Sequence, residues 1–102
     1  MLNVITGATG HLGNNLVRTL LERGEEVRAV VLPNDPAQSI AGLPVERVEG
    51  DVRDMGALIW AFRNAERVYH LASLITIAPG REDLLQEVNV QGTRNVVEAC
   101  LR

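Results

Sequence analysis

The sequence predicts an α/β domain with a parallel sheet, and two patterns lead to this fold class. Short apolar runs that are typical of buried strands alternate with longer segments whose apolar residues recur at helical spacing. Glycine and proline stand at the joints between these segments. Strands that are separated by helices are joined by right-handed crossovers, which make the sheet parallel. We therefore expect a doubly wound fold of about four strands in the order 3-2-1-4, with helices on both faces.

The predicted elements follow one another at short intervals along the 102 residues. Strands are expected at residues 2–6, 27–32, 45–50 and 67–72, and helices at residues 11–23, 55–62 and from about residue 81 onward. Gly24 stands where the first helix needs a left-handed residue after its end, and Asp54 can cap the second helix. Pro33 and Pro36 end the second strand, and residues 37–44 are expected to form a loop with one helical turn.

Apolar stripes indicate which faces of the two later helices are buried. The second helix carries on one face Met55, Leu58, Ile59 and Phe62. Trp60 lies off that face. The last helix carries on one stripe Leu85, Val88, Gly92, Val96 and Ala99. Gly92 and Thr93 are expected to allow close packing of this helix on the sheet.

Composition indicates a folded domain and excludes several classes of partner. Hydrophobic residues make up 46% and charged residues 23% of the chain, a normal globular balance. The net charge of −3 offers no basic surface for nucleic acid, and no apolar run reaches the roughly 20 residues that cross a bilayer. No basic leader precedes the first strand, so we expect a cytoplasmic protein. The single cysteine, Cys100, leaves no internal disulfide and no cysteine-based metal site, and an apolar filler is favoured over a reactive thiol.

A glycine-rich turn between the first strand and the first helix is the sharpest signal in the sequence. Gly7 lets the chain turn off the strand, Gly10 lets the backbone approach a pyrophosphate, and Gly13 lets the helix pack closely. The free amide groups and the positive end of the helix then favour phosphates. The other residues predicted to contact a ligand in this turn are Thr9, His11 and Leu12. The alternative is a tight turn that binds nothing.

Four motifs together make the whole chain resemble a known family. They are Gly7-x-x-Gly10-x-x-Gly13, residues 50–54 (GDVRD), residues 70–73 (HLAS) and residues 89–93 (NVQGT). In this order and spacing they resemble the extended branch of the short-chain dehydrogenase/reductase superfamily. That branch includes nucleotide-sugar epimerases and dehydratases, dihydroflavonol reductases and 3β-hydroxysteroid dehydrogenases. The resemblance implies a Rossmann-type NAD(P)-binding domain over residues 1–102, without the C-terminal part that binds substrate.

The resemblance also implies roles for the later motifs. Asp51 and Val52 would contact the adenine ring, although the same residues can be read as a strand end before the cap of the next helix. Leu71 and Ala72 would lie against the ribose and phosphates of the cofactor at the carboxyl edge of the sheet. The adjacent histidine, His70, is expected to be structural. Asn89 would hold the end of the fourth strand in place.

The choice of cofactor depends on the end of the second strand. Enzymes that use NAD place an acidic residue there, and enzymes that use NADP place an arginine. Leu32 stands where the arginine is often found and can bind neither the ribose diol nor a 2′-phosphate. Asn34 or Asp35 could reach the ribose, which favours NAD, whereas Arg53 could reach a 2′-phosphate from the next loop. Both cofactors remain open, with NAD preferred.

Catalysis by this chain alone is not expected. Hydride-transfer members of the superfamily use a Tyr-x-x-x-Lys pair, in which the lysine lowers the pKa of the tyrosine. The only tyrosine, Tyr69, lies within the fourth strand, and the chain contains no lysine. The sequence thus predicts the NAD(P)-binding portion of an oxidoreductase, epimerase or dehydratase that acts on a nucleotide-sugar or another small carbonyl or alcohol. A stand-alone NAD(P)-binding sensor or interaction module is the alternative, and a domain that has lost its cofactor is a third. Self-association, or a missing C-terminal half, is expected to cover the open edge of the sheet.

Overall fold

The computed structural model of the chain describes residues 2–72 and 86–101 and contains a four-stranded parallel sheet. The strands are β1 (Leu2–Thr6), β2 (Glu26–Val31), β3 (Glu46–Glu49) and β4 (Arg67–His70). Their order is β3-β2-β1-β4, and every neighbouring pair is parallel. The predicted fold class and strand order are confirmed.

Helices lie between and after these strands. They are α1 (His11–Glu22), α2 (Met55–Ala61), a π-helix (Gln86–Gln91) and α3 (Gly92–Cys100), with a short 3-10 turn at Gln38–Ile40. The helical turn expected in the loop after β2 is therefore present. The predicted beginning of the last helix, at about residue 81, and Leu85 on its stripe lie outside the described residues. None of the helices in residues 2–72 and 86–101 is both long and apolar enough to cross a membrane.

The predicted helix ends follow from local signals and agree with the structure. Gly24 follows α1 with a φ of +77°, in the left-handed region, and its amide donates to the carbonyl of Leu21 at 3.0 Å. At the start of α2, the carboxylate of Asp54 accepts a hydrogen bond from the amide of Ala57 at 3.2 Å.

The strand ends were predicted less accurately than the helix ends, because a strand stays hydrogen-bonded only as far as its neighbour continues beside it. We expected the fourth strand to continue to Ala72, but its pairing stops where Thr6 lies opposite His70. Beyond Thr6 the partner strand is lost because Gly7 turns away with a φ of +73°. For the second strand, the prediction of residues 27–32 was one residue late, since it runs from Glu26 to Val31.

Two apolar cores lie on opposite faces of the sheet, because successive residues of a strand point to opposite sides. One core packs α1 against the sheet and contains Ile5, Val17, Leu20, Ala29 and Ile40. The other packs α2 and α3 against the sheet and contains Val4, Val30, Leu58, Phe62, Val96 and Ala99. The expectation of helices on both faces is confirmed, and so is the buried stripe of Gly92, Val96 and Ala99.

Ile59 was wrongly assigned to the buried face of the second helix. Leu58 and Ala61 of α2 are fully buried, and Ile59, about 100° further around the helix, is turned to solvent with 39% of its surface exposed. Trp60 lies off the buried face, as expected, and the guanidinium of Arg63 lies 4.1 Å from its ring centroid.

A buried arginine connects β2 to the elements beside it. Arg28 donates from Nε to Glu46 at 2.8 Å and from Nη1 to the carbonyls of Ala61 and Arg63, both at 2.7 Å. The two carbonyls belong to the last turn of α2 and the residues after it, where a helix lacks its own donors. Arg28 therefore joins β2, β3 and the end of α2 with one buried charge.

Candidate functional site

A cavity of about 680 Å³ opens at the carboxyl ends of the four strands. Every residue that the sequence predicted for the site lines it: Gly7, Thr9, Gly10, His11, Leu12, Gly13, Leu32, Asp51, Val52, Leu71 and Ala72. Asp35 and Arg53 line the same cavity. The structure thus brings the predicted residues together, and their part in binding a ligand stays a prediction.

The three glycines of the turn differ in what surrounds them. A Cβ on Gly7 would lie 2.6 Å from the main chain of Leu71 and Ala72, and its φ of +73° strains any other residue. A Cβ on Gly13 would lie 1.9 Å from the carbonyl oxygen of Gly7, so the close contact of this glycine is with the turn rather than with the sheet. A Cβ on Gly10 would meet only the carbonyl of Gly7, at 3.5 Å. The fold therefore requires glycine at 7 and 13, whereas position 10 has room on its cavity side.

The amino end of α1 faces this cavity. The first hydrogen bond of the helix joins the amide of Asn14 to the carbonyl of Gly10 at 2.9 Å. The amides of His11, Leu12 and Gly13 precede it and have no acceptor within the helix. The first turn of α1 carries no acidic side chain. Such an end is electropositive and is suited to a phosphate group.

Hydrogen bonds that involve Thr9 join the loop after β2 to the glycine turn. The hydroxyl of Thr9 donates to the carboxylate of Asp35 at 2.7 Å, and the hydroxyl of Ser39 donates to the carbonyl of Thr9 at 2.8 Å. The amide of Ala37 donates to the other oxygen of Asp35 at 2.8 Å. The hydrogen bonds from Ala37 and Thr9 lower the pKa of Asp35, so this carboxylate is anionic near neutral pH. The sequence indicated Asp35 but not its contact with Thr9.

Asp51 and Arg53 form an ion pair at the opposite wall. The guanidinium of Arg53 reaches both carboxylate oxygens of Asp51, with the shortest distance 2.7 Å from Nη2 to Oδ2. The hydrogen bond from the Arg53 side chain is the largest cause that lowers the pKa of Asp51. Arg53, which the sequence suggested as a partner for a 2′-phosphate, therefore has its positive charge balanced by the carboxylate of Asp51.

Val52 is held in this wall by α3. Asn95, which is buried, donates from Nδ2 to the carbonyl of Val52 at 2.9 Å and accepts from Nε2 of Gln91 at 3.1 Å. A Cβ on Gly92 would lie 2.5 Å from Cγ2 of Val52. The close approach predicted for Gly92 is therefore made to Val52, which follows β3, and not to the sheet.

Asn95 was missed, although the sequence carries a signal for it. It lies three residues after Gly92 and next to Val96, so it belongs to the apolar stripe of the last helix. A polar residue on a buried stripe needs a hydrogen-bonding partner. Asn89, which was given a supporting role, is half-buried, and its carbonyl accepts from the hydroxyl of Thr93 at 2.6 Å.

His70 lies between the sheet and the last helix. Its Nδ1 is 2.7 Å from the hydroxyl oxygen of Thr6, and its Nε2 is 3.1 Å from the hydroxyl oxygen of Thr93. The amides of Leu71 and Ala72 donate to the hydroxyl of Thr6 at 3.1 and 3.2 Å. Burial lowers the pKa of His70. These contacts agree with a structural rather than a reactive histidine.

The sheet order and the glycine turn at the carboxyl edge define a Rossmann-type α/β domain of the kind that takes nucleotides at this edge. The model of the 3-beta hydroxysteroid dehydrogenase/isomerase family matches residues 4–102, so the chain belongs to this family, which lies within the extended short-chain dehydrogenases.

Known proteins agree with this assignment. The chain is 45% identical, over its whole length, to "Sterol demethylase protein B" of Methylococcus capsulatus, of which it covers 31%. A short-chain dehydrogenase/reductase superfamily protein of Agrobacterium tumefaciens, solved with bound NAD, matches 97% of the chain with a TM-score of 0.83 and 32% identity. The UDP-glucose 4-epimerase of Thermus thermophilus, in complex with NAD, matches 98% with the same TM-score and identity. The chain spans between 28% and 33% of the length of these three proteins.

Proposed function

We propose that the chain binds a nicotinamide dinucleotide in the cavity at the carboxyl edge of the sheet. The observation that carries this proposal is the glycine turn: Gly7 and Gly13 close it tightly, and Gly10 leaves a gap before the amino end of α1. Two solved structures of similar fold hold NAD. The pyrophosphate would lie against Gly10 and the first amides of α1.

The remaining parts of the dinucleotide would extend along the two walls. The adenine would contact Asp51 and Val52, and its ribose would lie near Leu32 and Asp35. The backbone at Leu71 and Ala72 would face the other half of the dinucleotide. These placements rest on the positions of the residues around one cavity.

We propose NAD as the preferred cofactor. Asp35 is an anionic carboxylate in the cavity, and it would accept hydrogen bonds from a ribose diol and repel a 2′-phosphate. Leu32, at the end of β2, supplies no charge, and the charge of Arg53 is balanced by Asp51. The charges in the cavity therefore favour the cofactor without the extra phosphate.

The whole protein to which this chain corresponds would be an oxidoreductase, epimerase or dehydratase of the extended short-chain dehydrogenase type. We propose a nucleotide-sugar or another small carbonyl or alcohol as its substrate. The chain itself contributes binding and not proton transfer, since it has no lysine and its only tyrosine lies in β4. The cytoplasmic location that the sequence suggests stays a prediction.

The proposal also concerns the edge of β4 that does not pair with β1. Among the described residues, β4 pairs only with β1, so its other edge has no strand beside it. A second cavity, of about 570 Å³, lies at the start of β4 and includes Ile59, Phe62 and Val68. We propose that a second copy of the chain, or the remainder of a longer protein, covers this edge. Sedimentation at micromolar concentration tests the first possibility, and a single monomeric species would exclude self-association.

Calorimetric titration with NADH and, separately, with NADPH tests the proposed function. We expect saturable binding of both dinucleotides, with NADH bound more tightly than NADPH. We expect this binding to be lost in Gly10→Trp, because the indole ring fills the gap in front of α1. Gly56→Ala is the matched control, because a Cβ there makes only an ordinary contact of 3.5 Å, with Asp54. No binding of either dinucleotide by a folded chain would overturn the proposal. Tighter binding of NADPH would overturn only the preference for NAD.

A further inference from the structure

The hydrogen bonds around His70 favour one tautomer of its imidazole ring. A threonine hydroxyl has one proton to donate and two lone pairs that accept. In Thr6 the hydroxyl oxygen accepts from the amide of Ala72 at 3.2 Å and shares the amide of Leu71, at 3.1 Å, with the main-chain carbonyl of Thr6, which is also at 3.1 Å. With these donors on its oxygen, the hydroxyl directs its proton to Nδ1 of His70, at 2.7 Å. Nδ1 is an acceptor in this arrangement.

The other side of the imidazole leads to the same assignment. The hydroxyl of Thr93 lies 2.6 Å from the carbonyl of Asn89, which can only accept, so Thr93 donates its proton there. Its oxygen then accepts from Nε2 of His70, at 3.1 Å. The Thr93 side thus places a proton on Nε2, and in the neutral ring Nδ1 then accepts from the hydroxyl of Thr6. Burial, which lowers the pKa of His70, acts in the same direction.

We propose that His70 is a positioning residue that, as the neutral Nε2–H tautomer between Thr6 and Thr93, fixes the backbone of Leu71 and Ala72 against the glycine turn. The amides of these two residues are held by the same hydroxyl that donates to His70. Their backbone lies so close to Gly7 that a Cβ there would be 2.6 Å away. Both residues also line the cavity at the carboxyl ends of the strands.

Protonation of His70 would break this arrangement. A proton on Nδ1 would point at the hydroxyl of Thr6, which would then have to turn its own proton away and accept from the ring in competition with the two amides. Leu71 keeps the main-chain carbonyl of Thr6 as an acceptor, so the contact that is weakened most is that of the Ala72 amide. The consequence for ligand binding rests on the proposed dinucleotide site, whereas the tautomer and the backbone contacts do not.

Nuclear magnetic resonance of the ¹⁵N-labelled chain tests the tautomer directly. Long-range correlations distinguish a protonated from an unprotonated ring nitrogen, and the signals that disappear in His70→Gln identify His70. At pH 7.5 we expect a protonated Nε2 and an unprotonated Nδ1. A proton on Nδ1, or rapid averaging between the two tautomers, would overturn the proposal.

Two matched substitutions of Thr6 test the positioning role. Thr6→Val keeps the shape but removes the hydroxyl, so we expect faster hydrogen exchange at the Ala72 amide and an NADH dissociation constant raised about tenfold. Thr6→Ser keeps the hydroxyl and should retain the wild-type tautomer, slow exchange at Ala72 and NADH affinity. Unchanged exchange at Ala72 in a folded Thr6→Val chain would overturn the role.

A second variant keeps the test decisive if Thr6→Val does not fold. Thr93 is exposed, so Thr93→Val removes the acceptor of the Nε2 proton at little cost to the core. We expect the tautomer of His70 to become mixed in this variant, and an unchanged imidazole spectrum would count against the proposal. If the wild-type chain bound no NADH, the proposed function would fail, while the spectrum and the exchange at Ala72 would still decide the role of His70.

Discussion

The side-chain amide of Asn95 in α3 donates a 2.9 Å hydrogen bond to the main-chain carbonyl of Val52, at the wall of the main cavity. The two residues are 43 positions apart in the sequence. Because Asn95 is buried, its amide has no water to replace this acceptor. The last helix therefore determines the position of a cavity residue that is far from it in the sequence.

We expect Asn95→Ala to lower the free energy of unfolding by about 1–3 kcal/mol, because it leaves the buried carbonyl of Val52 without its donor. NADH affinity should fall as well, since Val52 lines the cavity. Urea denaturation measures the first effect and calorimetry the second. Asn95→Asp is the matched variant, as it retains an acceptor for Gln91 but not the donor. If Asn95→Ala were as stable as the wild type, the hydrogen bond would have no structural role.

Gly92→Ala should destabilise the chain although alanine is the better helix former. The added Cβ would lie 2.5 Å from Cγ2 of Val52, so α3 or the loop after β3 must shift. Val52→Ala in the same chain should restore much of the loss, because it removes the methyl groups in contact. Gly56→Ala, in the first turn of α2, should be neutral or stabilising by up to about 1 kcal/mol. Thermal unfolding of the four chains tests this, and equal effects at 56 and 92 would contradict it.

Arg28→Met should lower the free energy of unfolding by about 2–4 kcal/mol, because the carbonyls of Ala61 and Arg63 lose their common donor. Arg28→Lys should recover only part of this, since a single ammonium cannot reproduce the planar fork of the guanidinium. Urea denaturation compares the three proteins. A lysine variant as stable as the wild type would show that charge alone is sufficient.

Asp35→Asn should weaken the preference for NADH over NADPH, because it removes the negative charge that faces the adenosine ribose in the proposed complex. In this variant the side-chain oxygen can still accept from the amide of Ala37, and the side-chain nitrogen can donate to the hydroxyl of Thr9, so the glycine turn should be unchanged. The measurement is the ratio of the two dissociation constants in wild type and variant, and we expect it to change by about tenfold. An unchanged ratio with intact NADH binding would place the ribose away from Asp35.

The pH dependence of stability should report His70. Its pKa is lowered in the folded chain, so the unfolded state binds more protons once the pH falls below its ordinary pKa of about 6.5. The stability that depends on neutral His70 is therefore complete above pH 6.5 and is lost as the pH falls through this value toward the folded-state pKa. His70→Gln should show a shallower decline between pH 7.5 and 5.5. Parallel curves for the two proteins would contradict this expectation.

The fold could be predicted from the sequence because its determinants are local. The β-branched runs, the apolar stripes and Gly24 each act within a few residues, and the order of the strands follows from the crossover rule. The end of β4 could not be predicted, since it depends on where β1 turns away at Gly7. Ile59 was misplaced because an apolar residue next to a buried stripe can face either way.

Most of the residues that line the cavity could likewise be listed from the sequence, but the contacts between them could not. Thr9 and Asp35 are 26 residues apart, and no periodic pattern links them. The pairing of Arg53 with Asp51 decides whether a cation is available to a ligand, and it became evident only from the geometry. The sequence places Asn95 on the buried stripe of the last helix but gives no indication of its acceptor, which lies 43 positions away.

The contact between Val52 and Asn95 also has a consequence for the newly made chain. During synthesis Val52 emerges from the ribosome before Asn95, and the 43 positions that separate them take about 2–9 s at the usual rate of translation. All four strands of the sheet precede Asn95 in the chain, so the sheet can form while one side of the cavity is still unsupported. A ribosome-bound chain from which β4 has emerged but α3 has not should have a folded sheet and only weak affinity for dinucleotide.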